Sequence, residues 1–270
     1  MTTRANLADT LDFAVEAARR AGEIIMPYFQ GELGLQMKSD GTPVTLADRA
    51  AEQELRNLIR DRFPDDSVLG EEYGELSGTS SRRWILDPID GTKSFVHGVP
   101  LFGVLIGMEE NGEAVLGVVH MPALNEMAFA ARDLGCWWQP AGRQGKATTR
   151  RARVSSVDSL AEALLVVNGY EYFQQSRRVA AYDRLHQAAR HQRGWGDCYG
   201  HLLVATGRAD VCVDPQMNLW DNAPLLPILT EAGGTFTDWK GRATIHGGDG
   251  ISTNGKVLEE VLSLVREPAT

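Results

Sequence analysis

The chain has 270 residues, 43% of them hydrophobic, and a formal net charge of −9. That is enough apolar material for a large core, which excludes a disordered chain, and enough negative charge to exclude nucleic acid as the principal partner, because a phosphate backbone would be repelled. No run approaches the roughly 18 apolar residues that cross a bilayer, the three cysteines show no disulfide spacing, and the N-terminus lacks a basic-then-apolar signal, so a cytoplasmic protein without a membrane segment is expected.

In chain order, Leu11, Val15, Ala18, Gly22, Ile25 and Phe29 recur at helical spacing and predict an amphipathic helix over 7–29. A short strand and a loop around Lys38 follow, and Leu55, Ile59 and Phe63 mark a second helix that ends at Pro64. Strands are predicted over 67–69, 84–86, 104–108, 115–120 and 127–130, separated by turn signals such as Asn111-Gly112. This half reads as helices over a mainly antiparallel sheet. Residues 139–153 are polar and basic and predict an exposed connector. Beyond it, strands over 164–168, 211–213 and 235–237 alternate with helices over 174–191, 199–206, 223–232 and 256–265. The expected fold class is therefore α+β for residues 1–145 and α/β for 146–270, joined as one compact unit.

The chemistry concentrates where apolar strands run into acids. Trp84, Ile85 and Leu86 lead into Asp87 and Asp90, with Pro88 forcing an extended or turned backbone and Gly91 supplying a conformation other residues resist. The two acids can turn toward one point, and a helix starting near Thr92 would face that point with free amides. One segment then offers carboxylates to cations and amides to a phosphate. Glu71 and Asp221 bring acids from two further segment ends. Magnesium takes oxygen ligands and keeps several waters, so a few carboxylates from separate segments suit it. Without cations such acids would raise one another's pKa values. The six histidines and three cysteines are scattered, which argues against zinc. Simpler roles stay open at single positions. The 87–92 segment can be an acidic turn with a helix cap, and Thr45 to Asp48 has capping-box spacing. Asp221 can be an N-cap, and Lys38 a solvated loop lysine.

Taken together, these residues resemble the signatures of the inositol monophosphatase superfamily of magnesium-dependent, lithium-sensitive phosphatases. The matching segments are Gly-Glu-Glu at 70–72, W-x-x-D-P-x-D-G-T at 84–92, W-D-x-A at 220–223 and E-A-G-G at 231–234, in order along nearly the whole chain. The resemblance implies a layered αβαβα sandwich with the site between the halves, two or three Mg2+ per site, inhibition by lithium, and a homodimer. It implies that Glu71, Asp87 and the Ile89 carbonyl hold a first cation, and Asp87, Asp90 and Asp221 a second. Gly91 and Thr92 would bind phosphate. Asp48, in a match to the family's V-T-x-x-D segment, would pair with the Thr92 hydroxyl, and with Glu71 these residues would orient a metal-activated water for direct in-line attack. Lys38 would sit on a mobile loop that closes over a small phosphorylated substrate.

Substrate choice must come from other residues. Where inositol-hydrolysing members carry small uncharged side chains, this chain has Trp195, Asp197 and Tyr199. An acid pairs with an ammonium group and an aromatic face packs on a flat or cationic one. The stretches 92–102 and 194–200 also resemble the histidinol-phosphatase branch, which implies that Trp195, Asp197 and Asp214 face L-histidinol phosphate in a reaction of histidine biosynthesis. Core aromatics at Trp195 and Tyr199 with a helix cap at Asp197 are the other reading of this segment. An inositol-1-phosphate phosphatase, a bisphosphate nucleotidase, and a non-catalytic regulatory binding protein are the alternatives for the whole chain. The regulator is disfavoured because every matched ligand is present.

Overall fold

The computed structural model describes residues 4–32, 34, 36–37, 43–141 and 148–266; Lys38 lies outside them. The first helix, α1 (Arg4–Ile25), buries Leu7, Leu11, Ala14, Ala18, Ala21 and Ile25 at helical spacing. It stops short of the predicted end because Pro27 starts a 3-10 turn over Met26–Tyr28. Strands β1 (Gln36–Met37) and β2 (Pro43–Val44) pair antiparallel and lead into α2 (Leu46–Arg62). Next come β3 (Ser67–Gly70), β4 (Gly74–Leu76), β5 (Arg82–Asp90), the short helix α3 (Thr92–Val96), β6 (Gly103–Glu110), β7 (Glu113–Met121), β8 (Glu126–Ala131), β9 (Gly135–Gln139) and β10 (Arg150–Arg151). These strands form an eight-stranded sheet in the order β10-β9-β8-β7-β6-β5-β3-β4. It is antiparallel except where β3 runs parallel to β5.

The second half contributes β11 (Leu164–Val167), α4 (Tyr170–Gln175), α5 (Val179–Ala188), β12 (His191–Arg193), α6 (Asp197–Ala205), β13 (Val211–Asp214), α7 (Leu219–Asn222), α8 (Leu225–Glu231), β14 (Thr235–Thr237), β15 (Gly250–Thr253) and α9 (Leu258–Val265). Its five strands form a mixed sheet in the order β12-β11-β13-β15-β14. Both sheets are covered on both faces, and the alternation of side chains along each strand divides the core into layers. Val104, Ile106 and Val118 pack with α1 and α2, whereas Leu105 and Val119 turn the other way toward α6 and α8. Val166 and Cys212 meet those same middle helices from the second sheet, while Leu165, Val167, Val211 and Val213 pack with α5 and α9. This is the αβαβα sandwich. No helix among the described residues is long and apolar enough to cross a membrane.

Several elements depart from the sequence expectations. The helix expected over 174–191 is two helices, α4 and α5, broken where Arg177 adopts φ +60°, and its last residue opens strand β12. The helix expected over 223–232 is α8, starting after its N-cap Pro224, and a separate short helix, α7, precedes it at Leu219–Asn222. Within the expected connector, Arg150 and Arg151 form an edge strand on β9, stacking 4.4 and 4.1 Å over the rings of Trp138 and Trp137. Polar residues thus hold a strand through cation–π contact that hydrophobic alternation does not reveal.

One packing detail governs the site. Gly107 and Gly117 are cross-strand partners on β6 and β7, and the backbone of Ala223 and Pro224 rests on them. A Cβ on Gly117 would run into Pro224 backbone atoms. The pair of glycines lets α7, which carries Asp221, lie directly on the first sheet. Gly117→Ala should therefore destabilise the fold by about 1–3 kcal/mol through overpacking and lower turnover with it, as read by chemical denaturation and steady-state kinetics.

Candidate active site

Parallel strands end at the same edge, so β3 and β5 deliver their following residues side by side. The Glu71 amide donates to the Leu86 carbonyl at 3.2 Å, which sets Glu71 beside Asp87. Gly70 has no room for a Cβ because the Glu52 carboxylate of α2 fills the space. That buried carboxylate accepts from the amides of Glu72 at 2.7 Å and Tyr73 at 3.2 Å, and from Arg56 Nε at 2.7 Å. A charged group on α2 thereby fixes the turn that bears Glu71.

In a regular strand Asp87 and Asp90 would face opposite sides, since side chains alternate with a period of two. Here Asp87 pairs with Leu105 and Asp90 with Gly103, so β5 spends one residue more than β6 over this stretch. The resulting bulge at Pro88 and Ile89 turns both acids to one side. Oxygens of Asp87, Asp90 and Asp221 lie within 4.8 Å of one another. Asp87 Oδ1 accepts from the Ile89 amide at 3.0 Å, and Thr92 Oγ1 donates to the Ile89 carbonyl at 3.0 Å. Gly91, at φ +83°, closes the turn where a Cβ would press on the Leu101 carbonyl at 2.9 Å.

The remaining acids come from the second half. Asp90 Oδ2 accepts from the Cys198 amide at 2.5 Å, a bond that ties β5 to α6. Asp221 is the N3 residue of a capping box whose N-cap is Asn218, and its Oδ2 accepts from the Asn218 amide at 2.6 Å. It is thus a partner of the cap and not the N-cap itself. Burial, then Glu71, Asp90 and Asp221, push the Asp87 carboxyl well above the ordinary range. Burial, then Asp197 and Asp221, raise Asp90, against the Cys198 bond that lowers it. Asp221 is pushed up to about 7, chiefly by burial, with the Asn218 amide opposing and Glu71 adding to the rise. An all-oxygen donor set that cannot hold its charges without a counter-charge fits a hard divalent cation.

The facing wall is built on α6, β11 and β13. Asp197 adopts φ +53°, a strained conformation for a residue with a Cβ, and its amide donates to Asn168 Oδ1 at 2.7 Å. Burial, followed by the charge of Asp214, raises its carboxyl to about 6. Lys93 Nζ donates to the Tyr172 hydroxyl at 2.8 Å and sits 4.5 Å above that ring.

Glu71, Asp87, Ile89, Asp90, Gly91, Thr92, Asp197, Asp214 and Asp221 all line one cleft of about 290 Å³. Asp48 and Trp195 are not among its lining residues. Asp48 is buried at the start of α2, where its Oδ2 accepts from the Thr45 amide at 2.7 Å and the Thr45 hydroxyl at 2.6 Å in the capping box its spacing allowed. Trp195 is 39% exposed, so it is no core aromatic, whereas Tyr199 packs against the middle layer beneath Arg208. The aromatic residues lining the cleft are Trp220 and Tyr172, and sequence reasoning missed Tyr172 along with Asn168, Lys93 and Gln216. Asn168 had a signal, since it follows a parallel strand at the edge where ligands bind. Tyr172 had none.

A profile of the inositol monophosphatase family matches residues 6–268. The histidinol-phosphatase of Chlorobaculum parvum is 42% identical over 94% of this chain and 96% of its own length. The histidinol-phosphatase of Mycobacterium tuberculosis is 40% identical over 94% of this chain and 97% of its own. Among solved structures, an IMPase of Thermotoga maritima superposes with a TM-score of 0.81 at 34% identity, covering 95% of this chain and 96% of that one.

The raised carboxyls make metal-free stability depend on pH. Asp221 titrates near 7 in the folded state against an ordinary 3.8. The folded chain therefore binds more protons across that window, and this residue's contribution is lost as pH rises through it. In a chelator, thermal unfolding should show the unmodified protein losing stability relative to Asp221→Asn between about pH 4 and 7, and an added divalent cation should narrow that gap.

Proposed function

The chain belongs to the inositol monophosphatase family, and from that premise we propose that it is a magnesium-dependent phosphomonoesterase that hydrolyses L-histidinol phosphate to L-histidinol and phosphate. The observation that carries the substrate is the second pair of acids, Asp197 and Asp214, in the same cleft as Glu71, Asp87, Asp90 and Asp221. A plain phosphate ester needs only the latter group. An ester whose leaving group bears an ammonium needs the former as well. The two relatives named as histidinol-phosphatases, similar along almost their full lengths, support the same reading.

Glu71, Asp87, Asp90, Asp221 and the Ile89 carbonyl would hold Mg2+, which would supply positive charge to neutralise the phosphate and lower the pKa of water. The residues of the chain do the rest. Thr92 Oγ1 directs its own proton to the Ile89 carbonyl at 3.0 Å, which leaves its lone pairs to orient the attacking water by accepting a hydrogen bond from it, and the proton released on attack passes to the Glu71 carboxylate. Glu71 faces the same volume, whereas Asp48 is held in the Thr45 capping box at the start of α2. The amides at Gly91 and Thr92 take the phosphate oxygens. Asp197, Asp214 and the Tyr172 ring bind the leaving alcohol. We place this reaction in histidine biosynthesis, in a cytoplasmic homodimer, on the strength of the family resemblance.

With Mg2+, the purified protein should release phosphate from L-histidinol phosphate with a kcat/KM at least about 10-fold above inositol-1-phosphate and a nucleoside 3′,5′-bisphosphate. Preference for either of the others would replace the substrate, and no release from any would favour the regulator. Asp197→Ala should cost about 10- to 100-fold on L-histidinol phosphate, the loss of one charged hydrogen bond, and far less on a small amine-free ester. Equal losses on both would show that Asp197 does not read the leaving group.

A further inference from the structure

Behind the cleft wall, α6 meets the second sheet through a buried chain of hydrogen bonds. His201 lies one helical turn after Asp197 and is fully buried. Its Nε2 is 3.0 Å from Asp214 Oδ2, and its Nδ1 is 2.7 Å from Ser252 Oγ. The strands dictate this meeting. Cys212 and Asp214 are two residues apart on β13 and so share the face toward α6, and Ser252 on β15 is the cross-strand partner of Cys212. A carboxylate only accepts, so Nε2 carries the proton, and in the neutral ring the Ser252 hydroxyl donates to Nδ1. That hydroxyl selects the tautomer that serves Asp214. Phe236 sets its ring against the imidazole at 6.0 Å, and Trp239 Nε1 donates to the Asp214 main-chain carbonyl at 3.0 Å. Cys212 stands close enough to complete a ligand trio with His201 and Asp214. Both imidazole nitrogens are already engaged, however, so the group reads as a hydrogen-bonded relay and not a metal site.

The relay leaves one atom unanswered. Asp214 is 1% exposed, yet its Oδ1 has no hydrogen-bond partner among the described residues. A buried carboxylate oxygen without a partner is costly, and Asp214 lines the cleft beside Asp197. We propose that His201 is a positioning residue for recognition of the leaving group: by occupying Oδ2 it keeps Oδ1 of Asp214 for the cationic amine of the substrate, while Ser252 holds the imidazole in the donating tautomer. The proposal rests on the reading of Asp197 and Asp214 as the leaving-group wall. It adds a residue that touches no substrate and still sets substrate preference.

The test is steady-state kinetics of the full chain with Mg2+ on L-histidinol phosphate and on glycerol 2-phosphate, which has no amine. His201→Leu removes both hydrogen bonds at similar volume, and His201→Gln returns an N–H donor near the place of Nε2. His201→Leu should raise KM for L-histidinol phosphate about 10-fold or more, with kcat and both constants for glycerol 2-phosphate held within about threefold. His201→Gln should recover most of that KM. Equal losses on both esters, or an unchanged KM in His201→Leu where Asp214→Asn raises it, would overturn the proposal. Should His201→Leu fail to fold, Ser252→Ala takes its place: a rise in KM confined to the amine-bearing ester supports the relay, and no change overturns it. An Asp214→Asn variant that matches the unmodified protein on both esters would instead overturn the leaving-group reading, and the proposal with it.

Discussion

Mutual repulsion among Asp87, Asp90 and Asp221 is the constraint on which the rest of this structure depends. Their oxygens lie within 4.8 Å of one another, with Asp87 buried and Asp90 and Asp221 half-buried, in a setting that pushes all three carboxyls upward. Such a group does not assemble spontaneously, because each charge raises the cost of the next. It is held together by backbone bonds that would be lost if any acid moved away. The Ile89 amide grips Asp87, the Cys198 amide grips Asp90, and the Asn218 amide grips Asp221. The fold thus stores an electrostatic demand that a divalent cation would satisfy.

The architecture follows from holding those grips in register. Asp90 belongs to the first sheet and Cys198 to the middle layer, so their bond fixes the two halves against each other at the site itself. Glu52 does the same for Glu71 from the outer helix layer. The facing glycines, Gly107 and Gly117, remove the side chains that would lift α7 and α8 off the sheet. Each device shortens the distance between acids that would otherwise stand apart. The cleft then brings Asp197 and Asp214 from the second half to face the acids of the first.

How far the sequence reaches depends on the kind of information each feature needs. Helix α1 and strand β6 were legible because burial is periodic along the first and continuous along the second. The break at Arg177 and the edge strand at Arg150 and Arg151 were hidden, since one is a single left-handed residue and the other is stabilised by tryptophans on a neighbouring strand. Among site residues, the acids at Glu71, Asp87, Asp90 and Asp221 announced themselves by lying at the ends of apolar runs. Asp48 was legible as a cap through its spacing from Thr45, and the cap is what the structure shows. Trp195 illustrates the opposite case, because an aromatic between two glycines carries no sign of which way it will face.

By itself the sequence determined what is local: the composition of a large layered α and β protein, the strand-end acids, and Gly91 where only a residue without a Cβ turns freely. Tertiary structure alone decided convergence. Whether Asp87 and Asp90 share a side depended on a bulge counted against β6, and whether Asp221 reached them depended on two glycines on strands distant in the chain. The bond from His201 to Asp214, with Ser252 behind it, joins three residues that nothing in their own neighbourhoods connects. The physical reason is common to all of these. Hydrogen bonds and charge repulsion act through space over a few ångströms, and only packing sets which distant residues come within that range.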